Sequence, residues 1–217
     1  MPFGFGKKKG PEPAPDSEAP GWDAIEAALS VAFPGQTPAH WGTNALPGQG
    51  IYGLSAYRDG DGWLVVTYGL SELFAKESDD PDTSGYGFEL TIRTPPAAEA
   101  PGWALGLLRS LGSSVFSSGR TYGDGHRVDV RQPITGGDPP TQLSAIALTT
   151  DPMLGEIDTP NGHVEFLRLV GITADELDQM KAKSTASVLA ELAAANPALV
   201  TDPARWPMAH VTFRDAD

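Results

Sequence analysis

The chain has 217 residues, enough for one large domain with a core of its own. It contains no cysteine, which excludes disulfides, zinc–thiolate sites and iron–sulfur ligation and fits a reducing, cytoplasmic setting. Its net charge of -13, from 15 Lys+Arg against 28 Asp+Glu, argues against nucleic acid as a direct partner, because holding phosphates requires a basic surface.

Residues 1–20 carry five prolines and little apolar content, and read as a flexible leader. Its three lysines are followed by no apolar core, so it is not a secretory signal, and GFGKKKG lacks the preceding strand of a phosphate loop. From Gly21, the apolar residues Trp22, Ile25, Leu29 and Phe33 recur at helical spacing until Pro34. Pro38 to Gly50 is rich in Gly and Pro and is expected to be a long ordered loop holding His40 and Trp41. Ile51 to Tyr57 and the run from Trp63 form a predicted hairpin across Asp59-Gly60-Asp61-Gly62. In the second run both faces are apolar, as an interior strand requires.

An acidic stretch, ESDDPD from Glu77 to Asp82, leads into a strand from Tyr86. There Tyr86, Phe88, Leu90 and Ile92 alternate with Gly87, Glu89, Thr91 and Arg93, the pattern of a half-buried strand with its polar side to solvent. Trp103, Leu107, Leu108, Leu111 and Val115 then mark a second helix, entered after Pro101-Gly102. Residues 119–140 are polar and turn-rich, with a short strand suggested at Arg127 to Arg131. Leu143 to Thr149 is a clearer strand, and Pro160-Asn161-Gly162 joins Ile157–Thr159 to His163–Val170 in a hairpin whose Asn-Gly pair accepts positive φ. Thr173 and Glu176 form a capping box for a helix through Leu177 and Met180. A further helix carries Val188, Leu189, Leu192 and Ala195 on one side and ends at Asn196-Pro197. The fold class expected is α+β, a mixed, largely antiparallel sheet with flanking helices, over residues 21–205, with a C-terminal tail at 206–217. No run is long enough to span a bilayer, and no membrane role is expected.

Several segments resemble the Suppressor-of-fused family in order along the chain: PGQTPAHW (34–41), GLSAY (53–57), YGLSELF (68–74), SGYGFELTIR (84–93), LTTDP (148–152), TPNGHVEFLRLVG (159–171) and LVTDPAR (199–205). The resemblance implies a domain that binds other proteins and performs no catalysis. Animal members restrain zinc-finger transcription factors and clasp a peptide between this domain and a second, C-terminal one, whereas this sequence stops shortly after LVTDPAR. Bacterial members are associated with polymorphic toxin systems, where they resemble immunity proteins. The implied partner here is another protein, such as a basic toxin domain, and complementary charge would speed its docking. The partner-binding residues expected are Glu72, Glu77, Asp79, Asp80, Asp82 and Tyr86.

Other chemistries find less in the sequence, and no cofactor is expected. Asp80, Asp82, Ser84 and Gly85 match the first half of a calcium loop, but its twelfth position is Thr91, so a solvated acidic loop is the reading. Ser71 lacks a nucleophile-elbow context and reads as a strand end or cap for the turn from Glu72 to Lys76. Gly85 and Gly87 suggest a bulge or a close backbone approach. The histidines His40, His126, His163 and His210 are scattered, and His163 with Glu165 under-supplies a metal. A hydrolase built on His163 or on Asp124 and His126 is the alternative from another class, and a scaffold without a toxin is a third. Trp41, Trp63, Tyr68, Tyr86 and Trp103 are expected to pack in the core, and an exposed aromatic beside the acidic loop would anchor an interface.

Overall fold

The computed structural model describes residues 18–44 and 49–207; most of the leader, His210 and Phe213 lie outside them. The elements run α1 (Pro20–Ala32), β1 (Ala39–Gly42), β2 (Gly53–Asp59), β3 (Gly62–Tyr68), β4 (Thr83–Thr94), α2 (Gly102–Ser118), β5 (Arg127–Asp129), β6 (Leu143–Thr150), β7 (Glu156–Thr159), β8 (Gly162–Thr173), α3 (Ala174–Ala182) and α4 (Thr185–Ala195). Among the described residues the strands form one sheet in the order β1-β2-β3-β4-β8-β6-β5, with β7 hydrogen-bonded to β8 beside this path. Every pairing is antiparallel except that of β4 with β8. The α+β expectation holds.

Helices cover both faces of the sheet. On one, α2 sets Leu108, Leu111 and Val115 against Val65, Phe88, Leu90, Ile92, Leu148 and Leu167. On the other, α1 sets Ile25, Leu29 and Phe33 against Tyr57, Leu64, Val66 and Phe166. Alongside it, α3 and α4 set Leu177, Met180, Val188 and Leu192 against Ala145, Ala147, Val170 and Ile172. The second cover corrects the reading of β4. Glu89 and Thr91 are fully buried and Arg93 nearly so, so the strand is buried on both sides. In register Glu89 stands beside Phe166, and Thr91 beside Arg168, placing the polar row of β4 on the sheet face that carries these helices, where the loop after β3 and the turn after β6 supply its partners.

Other differences are local. Residues 39–42 form an edge strand inside the segment read as a loop; it is only four residues long and largely exposed, so burial leaves no alternation in its sequence. In the β7–β8 turn only Gly162 takes a positive φ; Asn161 is buried and donates from Nδ2 to Glu72 O at 2.8 Å. Of the five aromatics expected in the core, Tyr68 is fully buried and the other four are half-buried. Ala195 is exposed. The capping box on α3 forms as expected.

The N-terminus of α1 is fastened to the loop between β3 and β4, since Gly21 N and Trp22 N both donate to Leu73 O, at 2.9 and 3.2 Å. A Cβ on Gly21 would fall 2.1 Å from Glu72 O, and backbone cannot yield as a side-chain tip can. In an open helix Gly→Ala would gain about 1 kcal/mol. Here overpacking decides the sign, and Gly21→Ala is expected to lower the urea unfolding free energy by about 1–3 kcal/mol and to shift the amide resonances of residues 72–74. A stabilised variant would show that this contact is not tight.

Candidate functional site

The ladder between β3 and β4 ends at the pair Val66–Thr91. Beyond it the buried carboxylate of Glu89 supplies hydrogen-bond acceptors to the departing β3 end. Its Oε1 accepts from Gly69 N (2.8 Å), Ser71 N (2.9 Å) and Ser71 Oγ (2.7 Å), and its Oε2 from Thr67 Oγ1 (2.6 Å). Buried backbone N–H groups need such acceptors, and here one side chain satisfies two of them. Burial pushes the Glu89 carboxyl up to about 7, against the opposing pull of these donors. Ser71 is therefore neither the strand end nor the cap expected from sequence: β3 stops at Tyr68, and Ser71 is 5% exposed with its hydroxyl donating to Glu89. YGLSELF and SGYGFEL meet at this carboxylate.

Glu72 frames the next turn. Its Oε1 accepts from Glu77 N (2.8 Å) and Ser78 N (2.5 Å), and its Oε2 faces Lys76 Nζ at 3.1 Å. Burial alone would raise this carboxyl, but those N–H groups and Lys76 hold it below the usual carboxylate range. Lys76 also donates to Ser78 Oγ and Thr83 O, and Ser84 Oγ accepts from Glu72 N at 2.9 Å. The incoming strand bulges between Thr83 and Phe88, where Gly85 has φ +57° and a Cβ would stand 2.8 Å from Leu70 O. The bulge takes in both glycines, and the close backbone approach is met at Gly85, whereas Gly87 faces the side chain of Thr83.

Four of the six residues expected to bind a partner, Glu77, Asp79, Asp80 and Asp82, lie exposed on this frame. Asp80 Oδ1 accepts from Asp82 N at 2.9 Å, and that N–H lowers its pKa. Because Lys76 is matched by Glu72, these four acids set the loop's charge. Glu72 is turned into the loop, and Tyr86 is half-buried, edge-on to Phe116 with ring centroids 5.2 Å apart. The exposed aromatic beside the acids is Phe74, 36% exposed and 5.1 Å from Tyr52. It sits inside YGLSELF with no periodic partner, so spacing does not single it out.

The remaining candidates are dispersed. Ser84, a ligand of the suggested calcium loop, is buried with its hydroxyl on Glu72 N. Among the described residues, no three His, Asp or Glu side chains are placed to hold a metal. His163 lies between Asp158 (3.3 Å) and Glu156 (3.4 Å), while Glu165 accepts from Thr150 Oγ1. Asp124 accepts from Thr150 N at 3.3 Å. His40 meets Ser55 Oγ at 2.9 Å, but Ser55 has no exposed surface and cannot reach a substrate. Under α1, Tyr57 and Tyr68 donate to Glu26, and burial with that nearby charge raises both phenols. No helix among the described residues is long and apolar enough to cross a membrane.

What the fold and this site define is a mixed-sheet α+β domain with helices on both faces and an acidic loop held by the half-buried carboxylate of Glu72 next to the buried one of Glu89. The Suppressor of fused protein family model matches residues 49–206. The Suppressor of fused homologs of Homo sapiens and Mus musculus are each 31% identical over 157 residues, a match covering 66% of this chain and 32% of theirs. The chain belongs to the Suppressor of fused family. It spans about a third of the length of those curated relatives. The crystal structure of the Sufu–Fu complex superposes with a TM-score of 0.78 at 27% identity, over 88% of this chain and 92% of that one. Drosophila Suppressor of Fused gives 0.79 at 27% identity, over 87% and 51%. A SUFU homolog from Neisseria gonorrhoeae gives 0.58 at 14% identity, over 86% and 95%, a likeness of fold.

Proposed function

We propose that this domain binds another protein through its β3–β4 loop, that the partner presents a basic surface, and that the partner is a toxin domain which binding neutralises. The observation that carries the reading is the exposure of Glu77, Asp79, Asp80 and Asp82 together, on a loop fixed by Glu72 and Glu89, in a chain of net charge -13. A fixed loop loses little conformational freedom on docking, and like charges on it steer a basic partner and repel acidic ones. A relative of the same fold has been solved in complex with a second protein, Fu, which supports protein binding as the general activity. The toxin setting rests on the implied likeness to bacterial immunity proteins. A cytoplasmic site of action fits the cysteine-free sequence.

The test is co-expression. A toxin-like reading frame adjacent to the gene is expressed with and without this chain, and growth should be restored by the wild type and restored poorly by the Asp79→Asn, Asp80→Asn, Asp82→Asn triple variant. If the adjacent product binds the wild type but harms no cell, the protein is a regulatory or scaffold binder. Full rescue by the triple variant would remove the acidic loop from the mechanism.

A further inference from the structure

We infer that the cleft lined by Tyr52, Phe74 and Glu77 receives an arginine side chain of the docked partner, an assignment that rests on the reading of the β3–β4 loop as the docking surface. The cleft is bounded by Tyr52 and Phe74, floored by Gly69, Ser71 and Leu73, and rimmed by Glu77. Its volume is about 40 Å³. Small-molecule pockets run to roughly 300–1,000 Å³, so this one is sized for the head of a single side chain.

Three features select a cation with a flat head. The two rings meet edge to face, 66° apart with centroids 5.1 Å from each other, and make one aromatic wall of the cleft, on which Phe74 keeps 36% of its surface open. Ring faces are electron-rich and attract cations, arginine more often than lysine. Glu77 lines the cleft and is exposed, and its backbone N–H is fixed on Glu72 Oε1, so a carboxylate is available there to pair with a guanidinium fork. Asp79, Asp80 and Asp82 deepen the negative potential around the mouth. An apolar side chain would satisfy the rings and leave Glu77 unmatched, whereas arginine satisfies both.

The floor is pinned to the backbone of Tyr52. Tyr52 N donates to Tyr68 O at 2.6 Å, and a Cβ on Gly69, whose φ is +114°, would stand 2.8 Å from Tyr52 N. Behind Tyr52, Trp22 of α1 packs edge-on with centroids 6.3 Å apart, bracing the ring from the core side.

The experiment is a titration of the ¹⁵N-labelled full chain with blocked peptides Gly-Gly-Xaa-Gly-Gly, where Xaa is Arg, Lys or Gln, at low salt. The arginine peptide is expected to move the amides of Gly69, Ser71, Ala75 and Glu77, the lysine peptide to move them less, and the glutamine peptide to leave them in place. Phe74→Ala, a change at an exposed ring, should weaken the arginine response about tenfold, as should Glu77→Gln. Equal responses to arginine and glutamine, or tighter binding by lysine, would overturn the assignment. Shifts at residues 79–82 without shifts in the cleft would overturn it while leaving the docking surface standing. No shift in either place would remove both.

Discussion

Arg168→Met is expected to destabilise the fold by about 3–5 kcal/mol, the cost of stranding a buried carboxylate. Arg168 and Asp151 are 1% and 0% exposed in their side chains and bond at 2.7 and 3.2 Å. Asp151 also accepts from Thr91 Oγ1 and from Met153 N and Leu154 N, so this one carboxylate ties β4, β8 and the turn after β6 together. Burial alone would raise its pKa, but Arg168 and these donors hold it below the usual range. Its contribution is therefore present above the unfolded value and lost as pH falls through the lower folded one. Methionine keeps much of the stem's packing and removes the charge, so the loss reports the charge. The expected fall in melting temperature is roughly 6–20 °C. Adding Asp151→Asn should recover part of it, because two neutral groups are cheaper to bury than one unpaired ion. A single-variant loss below about 1 kcal/mol, or no recovery in the double variant, would contradict this account of the core.

Glu89 should make stability fall as pH rises through neutrality. Its carboxyl is raised from 4.5 to about 7 by burial, so the folded state holds its proton more tightly than the unfolded chain does. The stabilisation is complete below about pH 4.5 and is lost as pH rises through about 7, amounting to roughly 3 kcal/mol. The titratable groups around it do not reverse that sign: Thr67 and Ser71 are hydroxyl donors, and no ion pair among the described residues includes Glu89. Glu89→Gln can offer its carbonyl oxygen to Gly69 N and Ser71 N, and carries no titrating charge. Relative to wild type, the glutamine variant should gain stability between pH 5 and pH 8 by up to about 3 kcal/mol in urea unfolding. An unchanged difference across that range would show that Glu89 titrates as an ordinary carboxylate.

The apolar skeleton was legible because burial writes periodicity. Helical spacing at Trp22–Phe33 and Trp103–Val115, and the double-sided apolar run of β3, correspond to α1, α2 and an interior strand. The polar half of β4 departs from its alternation, which normally marks a solvent face, because Glu89, Thr91 and Arg93 are buried against Thr67 and Ser71, Asp151, and Asp59. Those partners are distant in sequence: Ser71 lies 18 residues from Glu89, and Asp151 lies 60 from Thr91. No local pattern encodes such pairs. The family resemblance marked their positions without their role, since LTTDP contributes Asp151, TPNGHVEFLRLVG contributes Arg168, and LVTDPAR contributes Thr201, which bonds Gly171 N, and Arg205, which pairs with Glu176. Of the candidate interface, the charge was legible from composition; the inward turn of Glu72 and the cleft at Phe74 depend on the path of the loop.

Docking through the acidic loop is tested by quantitative capture of partners from the host lysate, with wild-type protein and the Asp79→Asn, Asp80→Asn, Asp82→Asn variant side by side at low and high salt. One stoichiometric basic protein is expected to be retained by the wild type at low salt, released at high salt, and bound at least tenfold more weakly by the variant. A partner held equally by both proteins at both salts would contradict that docking, and would move the binding surface off the acidic loop.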